Sequence, residues 1–162
     1  MRRIVIAAMS ALAIAVAGSA IHPFGRVTRS AGTDSPEMDA ETAALIDRAC
    51  ASCHTERTVW PWYGYVAPVS WMLEKDVNQA RGRMNLSRWG RYTQAEQEVL
   101  LSTIGAAVRT GEMPPSRYQM LHPEARLSAA ERQHIYQWTK AEKRRTKAGR
   151  PTSPVSLTMP PP

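Results

Sequence analysis

Behind Arg2-Arg3 the chain runs from Ile4 to Ile21, eighteen residues, without a charge. Further along, apolar positions recur at intervals of three and four, the spacing of one face of an α-helix. Asp39 is placed to cap a first such helix, with Ala43, Ile46, Ala49, Cys50 and Cys53 on one face. Pro68 suits the first turn of a second, which runs through Trp71, Met72 and Val77 to about Gly82. Thr93-Gln-Ala-Glu96 is a capping box opening a third, with Val99, Leu100, Ile104, Ala107 and Val108 on its apolar face and Gly111 at its end. Ser128-Ala-Ala-Glu131 opens a last helix that carries Ile135 and Trp138, with His134 beside them in a structural role. No stretch alternates as a strand does, so the pattern predicts an all-α domain.

Between these helices the breaks are informative. From Phe24 to Met38 the composition shifts to Gly, Ser, Thr, Arg and Pro and reads as a linker. Trp60-Pro-Trp-Tyr-Gly-Tyr65 packs four aromatic rings into six residues that proline and glycine keep out of a regular helix, and the rings are expected inside. Gly111-Glu-Met-Pro-Pro115 braces Met113 in a stiff loop. The expected organisation is residues 1–21 as a signal peptide or N-terminal membrane anchor, 22–38 as linker, 39–142 as one domain, and 143–162 as a disordered tail, basic and rich in proline. The small residues Ala17 to Ala20 would suit a signal peptidase, while eighteen apolar residues sit at the lower edge of what spans a bilayer. Either way the domain is expected to be exported to the periplasm, secreted or held at the inner membrane.

Charge changes the picture less than its sum suggests. The formal net charge is +7, yet residues 31–139 carry 11 basic and 13 acidic residues, and Lys140 to Arg150 adds six basic residues against Glu142 alone. Basicity that is mostly a tail is not the patterned surface that nucleic acid needs, and no nucleic-acid partner is expected. One small domain of this length is expected to be monomeric.

The chemistry gathers at Cys50-Ala-Ser-Cys53-His54. Two cysteines three apart followed directly by histidine form the attachment pattern of c-type haem. One turn of chain sets both thiols along one porphyrin edge, and the histidine supplies an axial ligand. A thioredoxin-like disulfide would follow a buried strand, which is missing before Cys50. A structural zinc site would have to recruit His122 or His134 from far away, because the chain has only two cysteines. The expected cofactor is therefore one haem c, bound through Cys50 and Cys53 with His54 as proximal ligand. Met113, 59 residues beyond His54, is the expected distal ligand, with Met120 and His122 as competitors. One of Arg81, Arg83, Arg88 and Arg91 is expected to meet a haem propionate.

Taken together, Cys50–His54, Trp60–Tyr63, Ala67-Pro-Val-Ser-Trp71, Asn85-Leu-Ser-Arg-Trp89, Gly111–Pro115 with Tyr118, and His122-Pro123 resemble the bacterial haem-binding domain family, which is similar to class I c-type cytochromes. The resemblance runs from about residue 45 to 138. It implies a small cytochrome c-like helical domain around one covalently attached haem, with Cys50 and Cys53 as thioether positions, His54 proximal and Met113 distal. That family also has a histidine at the place of His122, so ligation by two histidines stays open. The expected function is electron transfer with redox partner proteins, not catalysis. A haem peroxidase or gas sensor with an open distal position is the alternative, and a fixed place in a larger respiratory assembly is a third reading.

Overall fold

The computed structural model describes residues 1–30 and 34–149. Among these residues there are helices and turns and no strand; Asp34 and Arg88 form an isolated bridge. Helix α1 (Arg2–Gly18) is followed by α2 (Ala40–Ala49), the single turn α3 (Ala51–His54), α4 (Val69–Arg83), α5 (Gln94–Thr110), α6 (Ser116–Leu121) and α7 (Ala129–Ala148). The all-α expectation holds.

Helices α5 and α7 pack along each other and α2 closes over them, so that Leu45, Ile46, Leu101, Ile104, Val108, Ile135 and Trp138 share one core with Leu86 and Trp89. Close approach of the pair depends on Gly105, where a Cβ would lie 2.7 Å from Thr139 Oγ1. Both capping boxes form as read, Thr93 with Glu96 and Ser128 with Glu131. Helix α5 ends where Gly111 adopts φ +79°, a conformation glycine reaches without strain.

Four expectations need correction. On α2 the buried face is Thr42, Leu45, Ile46 and Ala49, and Ala43 is exposed. Thr42 is hidden because its hydroxyl is bonded to Asp39 Oδ2 (2.6 Å) and to His134 Nε2 (3.0 Å), so a polar residue sits on the packed face. On α5 the innermost side chain is Leu101, whereas Val99 is exposed.

Residues 22–30 of the expected linker instead form a strap lying along α4, and Asp34 meets Trp89 beyond it. His22 pairs with Glu74, Asn78 Nδ2 donates to the carbonyls of Phe24 and Gly25, Arg81 Nη1 donates to Thr28 O, and Trp89 N–H donates to Asp34 O. Lastly, the basic segment expected to open a disordered tail at 143 is helical to Ala148. Lys143 donates to Ser102 Oγ, and Arg145 is held by Glu142 and Glu37, which tie the last turns of α7 to the domain. Residues 150–162 lie outside the described residues.

Asp39 gives a test of the α2 cap. Its carboxylate accepts from the Thr42 hydroxyl and backbone N–H, which hold its pKa at about 2. A carboxyl depressed in the folded state contributes stability above its unfolded pKa near 4 and loses it as pH falls towards 2. Asp39→Ala should cost about 1 kcal/mol at pH 7. In thermal melts followed by circular dichroism, the gap between wild type and variant should narrow as pH falls through that window.

Candidate haem site

The path from α2 into the motif explains the site's shape. Cys50 closes α2 with φ −126° and ψ −32°, off the helical course, and the chain restarts as α3. Backbone N–H groups of Cys53 and His54 both donate to Cys50 O, and the Thr55 hydroxyl donates to Ala51 O (2.6 Å). The turn therefore presents Cys50, Cys53 and His54 together to one cleft between α3, α4 and α6. The cleft holds about 1140 Å³ of space free of atoms, its open mouth included.

Both cysteines are free thiols. Burial, with Cys53 adding to it, pushes the Cys50 thiol up to about 12, and burial also raises Cys53. Thiol–disulfide exchange of the thioredoxin kind needs a depressed thiol pKa, so this environment does not suit it. His134, which a zinc site would have drawn on, is held by Thr42 and Asp39.

His54 is prepared as a ligand. Burial lowers its pKa and keeps the ring neutral, while its Nδ1 lies 3.1 Å from Met84 O. A carbonyl only accepts, so the proton sits on Nδ1 and the lone pair on Nε2 is left for a metal.

The carbonyl that fixes the ring is itself fixed. Leu86 N–H donates to His54 O (2.7 Å), Asn85 Nδ2 donates to Glu56 Oε1 (2.8 Å), and Ser87 Oγ accepts from Glu56 N–H (3.0 Å). The Glu56 side chain, 4% exposed, pairs with Arg88 Nε (2.8 Å) and Arg81 Nη1 (3.3 Å). Arg81 also donates to Thr55 O and Thr58 Oγ1. Of the four arginines among which one was expected at a propionate, Arg81 and Arg88 are thus paired with Glu56 instead. Arg91 is exposed outside the cleft, and Arg83 lines it.

The other wall carries Met113, Tyr118 and His122. Met113 N–H donates to Ala107 O (3.2 Å), which keeps the loop against the end of α5. Of the competitors, Met120 is 72% exposed and does not line the cleft. His122 does line it, but both ring nitrogens are engaged. Nε2 lies 2.7 Å from Tyr63 Oη, Nδ1 lies 2.8 Å from Glu124 Oε1, and the ring stacks on Tyr118 at 4.2 Å. At the mouth Arg117 is paired with both oxygens of Asp76 (2.9 Å).

The aromatic run divides rather than staying together. Trp60 and Tyr63 line the cleft, and Trp60 Nε1 donates to Gly64 O (2.8 Å), while Trp62 is 84% and Tyr65 63% exposed. A 3-10 turn over Trp62–Tyr65 sends neighbouring side chains to different sides. Gly64 lies beneath it because a Cβ there would come within 2.9 Å of Trp60 and Leu73. Sequence reasoning did not single out Glu56, Asp76 or Tyr118's stacking, since buried acids and ring pairs leave no periodic trace.

Two free thiols, a neutral imidazole with one open nitrogen and a thioether, gathered on one cleft with Arg83 beside them, are a donor set suited to haem. Fold and site together define a small all-α haem protein. The chain belongs to the haem-binding domain family, which it matches over residues 14–141. It is also similar to cytochrome c peroxidase Ccp of Escherichia coli (strain K12), 26% identical over 113 residues that cover 68% of this chain and 24% of that protein. The chain thus spans about a quarter of the length of that curated relative. No solved structure matches it.

The Glu56 cluster yields a stability prediction. Glu56→Ala would leave Arg81, one-tenth exposed, without its carboxylate and Asn85 without its acceptor. The expected loss is about 3–5 kcal/mol, read as a lower urea midpoint for unfolding.

Proposed function

We propose that this chain is an exported electron carrier with a single haem c, attached through Cys50 and Cys53 and ligated by His54 and Met113. Each thiol adds across one vinyl group of the porphyrin, sulfur to one carbon and hydrogen to the other, with no net change in electrons. Bound there, the haem iron supplies one-electron redox chemistry. The observation that carries this reading is the contrast on the Met113 wall. The methionine lines the cleft with its sulfur uncommitted, while His122 is tied at both nitrogens. His54, held in one tautomer by Met84 O, and a thioether opposite it are a ligand pair that favours a high potential and small rearrangement between oxidation states.

Trp60, Tyr63 and Pro114 line the cleft with apolar surface that would lie against the haem. Arg83 offers a guanidinium for a propionate, and Arg117 offers another when it leaves Asp76. Redox partner proteins would dock transiently, through a small contact near the attachment turn. The run of apolar residues behind Arg2-Arg3 supports export to the periplasm.

A peroxidase is the second reading, favoured by the similarity to cytochrome c peroxidase and by one local feature. Tyr63, His122 and Glu124 form a hydrogen-bonded chain from the cleft to an exposed carboxylate, an arrangement able to pass a proton. That reading needs Met113 to be absent from the iron or to leave it.

Spectra of protein matured in a periplasm competent for haem attachment separate the two. The carrier predicts a c-type spectrum that carbon monoxide does not change, and a carbon monoxide response in the wild type would favour the peroxidase. Met113→Ala should retain covalent haem, lower the potential and make the protein bind carbon monoxide, whereas an unchanged potential would remove Met113 from the distal role. Cys53→Ala should sharply reduce covalent haem, measured as haem staining after denaturing electrophoresis. Full haem content in that variant would sink the attachment claim.

A further inference from the structure

Two uncharged runs, far apart in sequence, meet in the fold. The first is Ile4 to Ile21, and the second is Thr58 to Leu73, sixteen residues between Arg57 and Glu74. Ala67 N–H donates to Ser19 Oγ (2.9 Å), and Trp71 Nε1 donates to Gly18 O (3.2 Å) and Ile21 O (2.9 Å). Gly18 lies so close that a Cβ there would be 3.2 Å from the Trp71 ring. Helix α1 therefore leaves the domain from the middle of the second run.

That exit is ringed by apolar side chains in water. Among the described residues, nine large hydrophobic side chains beyond Phe24 are exposed, and six of them are Val59, Trp62, Tyr65, Val66, Val69 and Met72. No residue of α1 is buried. Scattered apolar residues on a surface need no explanation, but a cluster continuous with an unburied apolar helix does. Exposed Arg26, Arg29 and Lys75 stand next to it on the strap and on α4, without an ion pair among the described residues. The family match begins at residue 14, inside α1, and so includes the junction.

We propose that α1 and residues 59–72 form one lipid-docking face. Helix α1 stays on the mature protein and puts its side chains into the bilayer. Trp62 and Tyr65, aromatic rings with a polar edge, lie at the interface, and the three cations face anionic headgroups. Length fits this arrangement. None of the described helices is long and apolar enough to cross a membrane, and α1, with 17 residues, extends about 26 Å. Against a hydrocarbon core of ~30 Å, a helix that falls short draws its junction, and the rim around it, down to the interface. Val59, Trp60, Pro61 and Tyr63 of the same run line the cleft, so the cleft would open beside the lipid surface.

The test uses the full chain in vesicles of phosphatidylcholine and phosphatidylglycerol, with hydrogen–deuterium exchange read by mass spectrometry. Wild type should be protected over 1–21 and over 59–72. The variant Trp62→Gln/Val69→Gln/Met72→Gln should keep the first protection and lose the second, exchanging over 59–72 as fast with vesicles as without them. Unchanged protection over 94–110 and 129–148 would show that the variant is folded. Should it fail to fold, a photoreactive lipid applied to wild type gives a second reading, with labelling expected at 59–72 as well as on α1. Protection or labelling confined to α1, or an intact mass showing residues 1–20 removed, would overturn the proposal. None of these readouts depends on how the haem is ligated.

Discussion

The buried carboxylate of Glu56 is the constraint on which the site depends. Two residues after His54, it ties the attachment turn to the segment that follows α4, through Asn85 and Arg88, while Arg81 reaches across to Thr55 and Thr58. Those ties help to keep Met84 O beside His54 Nδ1, together with Leu86 N–H on His54 O, because the segment leaves α4 at an extended Met84. A buried ion pair is weak evidence for stability in itself, since desolvation offsets much of the attraction. Its value here is positional: an anion met at Oε1 by both Asn85 and Arg88, with Arg81 beside Oε2, accepts few other geometries. A ligand histidine whose second nitrogen is fixed keeps both its tautomer and its ring plane, and both matter to the iron.

Much of this was readable from the chain. Helix starts were legible because capping boxes are local, as at Thr93 and Ser128, and the Cys50–His54 turn stood out because the chemistry proposed for it demands fixed spacing. What escaped is non-local. Thr42 looks like a surface residue until His134, 92 positions away, supplies a partner for its hydroxyl. Glu56 looks solvated until two arginines close on it. The stretch 22–38 has a linker's composition, yet its residues 22–30 are placed by backbone carbonyls that accept from Asn78 and Arg81, and composition says nothing of carbonyls. The tail boundary failed for a similar reason. A run of cations reads as solvated until Glu142, Glu37 and Ser102 are placed against it.

Electron carrier and peroxidase differ, in this fold, by the freedom of one wall of the cleft. Met113 sits in a loop fixed at its N-terminal side to Ala107 O and followed by two prolines, so the thioether is offered to the cleft from a backbone with little latitude. His122 is close enough to line the same space, but leaving Tyr63 and Glu124 would cost it two hydrogen bonds and the stack on Tyr118. A histidine so held is a poor ligand and a good proton carrier. The same three contacts that tie up His122, and so leave Met113 as the proposed ligand, also preserve an acid–base chain at the cleft. On the proposed ligation, the choice between the two chemistries would turn on how firmly the loop keeps Met113 in place.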